Sequence, residues 1–154
     1  MATTPDPSVP TGFPIRGWFA DSQPDFRREM LALARPKSYT AGSVIYKAGD
    51  AGRDVFGVRS GVVTLSGRFT HPDAVLLHML RPGEWFGTVP VLIERSRRVT
   101  AIARTDVDTL RVPGDELRAL LRRHPEWGVE LGRDLVYYMD LGMQIASDLL
   151  IRNA

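Results

Sequence analysis

A chain of 154 residues with 44% hydrophobic side chains can bury a core of its own, and its length points to one domain with appendages. Lys and Arg number 20 against 18 Asp and Glu, so the net charge of +2 supplies too little field to make nucleic acid the expected partner. The absence of cysteine excludes disulfides, thiolate zinc sites and cysteine-ligated iron–sulfur clusters; with no run of ~18 apolar residues and no signal-like N-terminus, the expectation is a cytoplasmic protein without a membrane partner.

Taken in chain order, residues 1–15 read as a disordered tail, because Pro5, Pro7, Pro10 and Pro14 among Thr and Ser cannot build a buried face. From Pro24 to Ala34, Phe26, Met30, Leu31 and Leu33 recur at helical spacing, with Asp21 or Ser22 placed to cap the start and Pro36 to stop it. Between Lys37 and Val112 short Val-, Leu-, Phe- and Tyr-rich runs are punctuated by glycines and prolines, which predicts short strands and turns. The candidates are Ser43 to Lys47, Val55 to Arg59, Val62 to Phe69, Ala74 to Leu80, Arg98 to Ala103 and Thr109 to Val112, with His71-Pro72-Asp73 as a hairpin turn. Such strands bury their faces when an all-β sandwich or barrel closes on itself. Beyond Pro113 the pattern is helical: one helix from Gly114 to about His124, then, after Pro125, a long one from Glu126 to about Ile151. At 1.5 Å per residue the second spans on the order of 39 Å.

One segment of the β region carries the chemistry. In Arg81-Pro-Gly-Glu-Trp-Phe86-Gly87-Thr88-Val89-Pro90, Gly87 lets backbone approach a ligand and the next residues can form a helical turn with free N–H groups. Arg97, nine residues after Thr88, can return a cation to the same place. Together they form a candidate phosphate pocket.

That segment resembles the phosphate-binding cassette of cyclic-nucleotide-binding domains, usually Phe-Gly-Glu, two small or apolar residues, Leu, a short loop, then Arg-Ser/Thr-Ala. The flanking landmarks Ala41-Gly42-Ser43, Ala48-Gly49-Asp50, Val55-Phe56-Gly57-Val58-Arg59-Ser60-Gly61 and Arg81-Pro82-Gly83-Glu84 resemble the same family in order and spacing. The resemblance covers about residues 18 to 152 and is to the effector half of regulators of the catabolite-activator/Fnr (Crp/Fnr) type. It implies a mainly β fold with flanking helices: a double-stranded β-helix, or jelly-roll-like β-roll, over residues 16–124, followed by a C-terminal dimerisation helix over 125–152. The helix-turn-helix DNA-binding domain of such regulators is missing from the sequence, so any contact with DNA would be made elsewhere.

Carried over residue by residue, the resemblance implies a ligand site at Phe86, Gly87, Thr88, Val89, Arg97 and Arg98, for a cyclic nucleotide or another small anion. Thr88 stands where the family has the glutamate that accepts the ribose hydroxyl, Arg98 where it has Ser or Thr, and Pro90 removes a donor. Gly142 and Met143 fall where the family contacts the base and offer no side-chain hydrogen bond. The expectation is a cassette degenerate for cyclic AMP, in which Arg97 either holds an anion or makes a structural ion pair. Strand alternation puts Arg97 and Arg98 on opposite faces, so one should point inward.

Three roles stay open: sensor half of a transcription regulator, free-standing regulatory module acting on a protein partner, and cupin-like metal enzyme. The last needs closely spaced histidines with a carboxylate, which His71, His78 and His124 do not supply, and no catalytic arrangement stands out. A non-enzymatic role without metal is therefore expected. On the long helix Leu131, Leu135, Tyr138, Gly142, Ile145 and Leu149 follow at spacings of four and three, the a/d seam of a coiled coil, and predict a parallel homodimer. Trp127, Met139 and Met143 are left to pack on the roll.

Overall fold

The structure, a computed structural model, describes residues 12–68 and 72–152. Most of the expected tail and His71 of the expected turn lie outside them. Phe13 departs from the tail expectation, because it is buried with its ring 5.1 Å from that of Trp85 and 6.2 Å from that of Phe19. The short helix α1 (Gly17–Asp21) follows, then α2 (Pro24–Leu33), the helix expected from the periodicity. Its cap differs from expectation: Gln23 occupies the cap position without a side-chain capping bond, and Ser22 turns its hydroxyl back to Phe19 O at 2.6 Å. Pro24 at the first helical position needs no N–H partner there.

Among the described residues, eight strands make two four-stranded antiparallel sheets. The first, in spatial order, is β1 (Arg35–Tyr39), β8 (Val107–Val112), β3 (Val55–Ser60) and β6 (Trp85–Phe86). The second is β2 (Val44–Tyr46), β7 (Thr100–Ala103), β4 (Val63–Gly67) and β5 (Val75–Leu80). Six of these match expected strands. β1 and β6 were not expected: β1 reads Arg-Pro-Lys-Ser-Tyr, polar because it is an edge strand where a proline is tolerated, and β6 has only two residues.

Alternation along β3 explains its four successive buried residues. Phe56 and Val58 point into the roll with Tyr46, Val63, Leu80, Phe86 and Val107, while Val55 points to the helical side with Phe19, Phe26, Leu117 and Trp127. Gly57 shares that helical side, and a Cβ there would stand 2.8 Å from the Phe13 ring and 3.0 Å from Trp85. The glycine makes room for the aromatic pair that ties the N-terminal segment to the sheet.

α4 (Gly114–Arg123) and, after the 3-10 turn Pro125–Trp127, the 25-residue α5 (Gly128–Arg152) complete the chain. α5 corrects the expected seam. Leu131 is buried in the helical core, Leu135 is half-buried, and Tyr138 packs on the roll and donates its hydroxyl to Trp85 O at 3.3 Å. Only Gly142, Ile145 and Leu149 of the six remain exposed. Met139 and Met143, expected on the roll, are instead 66% and 69% exposed. The outward stripe is one face over: Val129, Val136, Met143 and Leu150 at intervals of seven, with Met139 between them. The roll takes the other stripe because α5 starts against α1 and the helical core, which fixes its rotation at Leu131.

Candidate functional site

β6 delivers the chain into the cassette. Phe86 is buried in the roll and stacks on Phe56 with ring centroids 5.2 Å apart, so it supports the site from below rather than lining it. Gly87 has φ +87°, and a Cβ there would stand 2.9 Å from Asp54 O and 3.0 Å from Arg97 Nη1. Only a residue without a side chain turns the backbone so close. Thr88 then begins the single-turn helix α3 (Val89–Leu92), with Pro90 in its first turn. Gly87, Thr88, Val89, Arg97 and Arg98 line one cavity of about 210 Å³, joined by Tyr46 and Leu65 from the roll and by Asp134, Leu135 and Tyr138 from α5. The cassette residues expected from the sequence therefore converge, apart from Phe86. Gly142 and Met143 do not, because the helix has by then left the roll.

Arg97 is 5% exposed and Arg98 exposed, so one arginine points inward as expected. The cause is not strand alternation, since β7 begins only at Thr100. Arg97 is fixed by its backbone, its N–H donating to Asp50 O at 2.8 Å and its carbonyl accepting from Gly49 N at 2.7 Å. Its guanidinium lies 4.1 Å over the Tyr46 ring and donates to two carbonyls, Gly87 O at 2.8 Å and Asp54 O at 2.6 Å. Both terminal nitrogens thus bind main chain rather than a carboxylate, which corrects the expectation of an ion pair; Nε is buried without a partner. Burial lowers the guanidinium from its usual range, opposed by Tyr46, Asp54 and Asp50. Burial likewise pushes the Tyr46 hydroxyl up to about 12, with Arg97 opposing.

Asp54 is the hub beneath. Its carboxylate accepts from Arg111 Nη1 at 2.6 Å and from Gly114 N at 3.1 Å, so the residue whose carbonyl holds Arg97 also ties β8 and the start of α4 together.

The feature missed from sequence is Asp134. It is 1% exposed, and its Oδ2 accepts the Thr88 hydroxyl at 3.0 Å while Oδ1 is buried without a partner. Burial pushes its carboxyl up to about 7; the Thr88 hydrogen bond opposes this, Glu84 adds to it and His78 opposes it. The signal was present: a carboxylate at 134 lies on the same helical stripe as Leu131, Leu135 and Tyr138, a face that buries. Tyr138 is raised by the same burial and by Asp134 and Glu84.

His78 lies edge-on to Tyr138, ring centroids 5.1 Å apart, and its Nε2 is 3.7 Å from Glu84 Oε1, within ion-pair range but too long for a hydrogen bond. Burial alone would raise Glu84, but His78, the Arg81 N–H at 2.6 Å and Arg16 outweigh it, and the carboxyl sits below its usual range. Among the described residues no group of three or more His, Cys, Asp or Glu converges as a metal site would, and no helix is long and apolar enough to cross a membrane.

Two antiparallel sheets closed into a roll, a Gly–helix–Arg cassette on one side and a long helix laid across it define a class of small-ligand-binding domain. The chain belongs to the cyclic nucleotide-binding domain family, whose model matches residues 36–124. It is 33% identical over 106 residues to Glutaminase 2 of Bradyrhizobium diazoefficiens, covering 69% of this chain and 16% of that protein. It is also 33% identical over 95 residues to the cyclic AMP receptor protein of Thermus thermophilus, covering 62% of this chain and 44% of that one. The crystal structure of the Thermus thermophilus catabolite activator protein superposes with a TM-score of 0.67 at 27% identity, over 86% of this chain and 61% of that one. The chain thus spans less than half the length of the two curated relatives it matches, and the fold is that of the catabolite activator.

Proposed function

We propose that this chain is the ligand-sensing and dimerisation unit of a cytoplasmic transcription regulator of the catabolite-activator kind, not an enzyme, with a cassette degenerate for cyclic AMP. The observation that carries the degeneracy is how the cassette's polar groups are engaged. Thr88 gives its one hydroxyl proton to Asp134 and Arg97 gives an N–H from each terminal nitrogen to a carbonyl, so an incoming phosphate finds the Thr88 donor taken and competes with main chain for the Arg97 fork. Losing one charge-assisted hydrogen bond costs ~1.5–3 kcal/mol, ten- to a hundredfold in affinity. Calorimetric titration with cyclic AMP at neutral pH is expected to give a dissociation constant well above about 1 µM; one at or below that, ~8 kcal/mol of binding, overturns the degeneracy.

The homodimer rests on α5. From residue 142 to 152 its side chains are exposed all round, and Val129, Val136, Met139, Met143 and Leu150 form a heptad stripe that the described residues leave bare. Strand β5, beside α5 through the His78–Tyr138 contact, adds exposed Val75, Leu76, Leu77 and Met79. A second copy supplies the same stripe and covers both by twofold symmetry.

A module acting on a protein partner is the second reading, favoured by the match to a protein named a glutaminase, most of whose length lies outside the matched region. The reading frame after Ala154 discriminates: a helix-turn-helix selects the regulator, and its absence the partner module.

A further inference from the structure

Asp134 brings a carboxyl into the wall of the ligand cavity, on the helix whose position a sensor of this kind must change. Its Oδ2 accepts the Thr88 hydroxyl at 3.0 Å, and its Oδ1 is buried without a partner. A hydroxyl has one proton to give. While Asp134 is ionised it takes that proton, and it also sets a like charge beside any anion drawn to the cassette, in surroundings too dry to screen it. Once neutral, it removes the repulsion and gains an O–H of its own.

The charged and titratable groups around it do not cancel this. Glu84, at the turn before β6, adds negative charge; His78 of β5 opposes it. Arg97 keeps its positive charge at the same cavity, but its terminal nitrogens are turned to carbonyls and not to Asp134, and Arg98 at the rim is exposed to solvent. Along α5, Glu130 one turn earlier is buried with only Arg133 Nε at 4.0 Å, and Tyr138 one turn later donates to Trp85 O.

We propose that Asp134 sets the charge selectivity of the pocket, so that an anionic ligand enters only as Asp134 takes up a proton from solvent. Anion binding, protonation and the bond that ties α5 to the cassette are then one linked event. The carboxyl's rise to about 7 places the exchange near neutral pH. This rests on the cavity being the ligand site, as proposed above.

Cyclic AMP is the probe, because its phosphodiester keeps one negative charge between about pH 6 and pH 8. For the wild type, affinity is expected to rise roughly tenfold as pH falls across that interval, the change in the protonated fraction of a group titrating near 7. Calorimetry in two buffers of different ionisation heat should show uptake of close to one proton per ligand at about pH 8, a readout that needs no variant. Asp134→Asn keeps the shape without the charge, and should bind at about pH 8 at least as tightly as the wild type does at about pH 6, with neither slope nor uptake. His78→Gln should keep both. A slope that survives in Asp134→Asn, a slope that disappears in His78→Gln, or failure of Asp134→Asn or of the acidic wild type to bind at millimolar cyclic AMP overturns the proposal. A wild-type dissociation constant at or below about 1 µM at neutral pH overturns the degenerate cassette instead, and the Asp134→Asn comparison still decides the linkage.

Discussion

A carboxyl raised to about 7 in the folded chain works against folding whenever it is ionised. Because its unfolded value lies near 4, the folded state holds the extra proton between about pH 4 and pH 7. Stability is therefore fully present below that window and falls as pH rises through it, by a few kcal/mol at most. Urea unfolding at about pH 5.5 and pH 8 should show the wild type less stable at the higher pH. Asp134→Asn should be more stable than the wild type at about pH 8 by ~1–3 kcal/mol and lose most of the pH slope; equal stabilities at pH 8 would remove Asp134 as the cause. At the other end of the chain, Phe13 is the residue whose role composition hid. Phe13→Ala should cost ~3 kcal/mol in thermal or urea melts, since it opens a cavity against Trp85 and Phe19. A change within ~0.5 kcal/mol would return Phe13 to the tail.

At the scale of elements, the long helix shows what periodicity can and cannot say. The four-three spacing from Leu131 to Leu149 correctly marks a buried stripe at its start, but α5 carries two apolar stripes and the roll claims the one through Leu131, Leu135 and Tyr138. Light scattering at tens of micromolar is expected to find a dimer, and Met143→Glu, which faces two carboxylates across the bare stripe, should dissociate it while leaving the melt within ~1 kcal/mol. Leu135→Glu should instead disturb the cavity and leave the dimer assembled. The reverse pattern would restore the original seam. Strand recognition failed for the same kind of reason: β1 is polar because it is an edge, and β6 is defined only by its pairing of Phe56 with Phe86 and Gly57 with Trp85.

For the whole molecule, the described residues carry no basic recognition helix, and the chain's net charge of +2 gives phosphate little attraction. This chain alone should show no sequence-selective shift of duplex DNA in a gel at physiological salt; a selective shift would place the reading head within it. The order of glycine landmarks, the cassette at Gly87 to Arg97 and the succession of roll and long helix were all legible in the residues, because turns, close approaches and amphipathic faces are local demands on residue type. What Arg97 bonds to, which face of α5 meets the roll, and the pairing of Thr88 with Asp134 across 46 positions were decided by tertiary packing. Those choices depend on which groups become mutual neighbours once water is excluded, and spacing along a chain does not encode that.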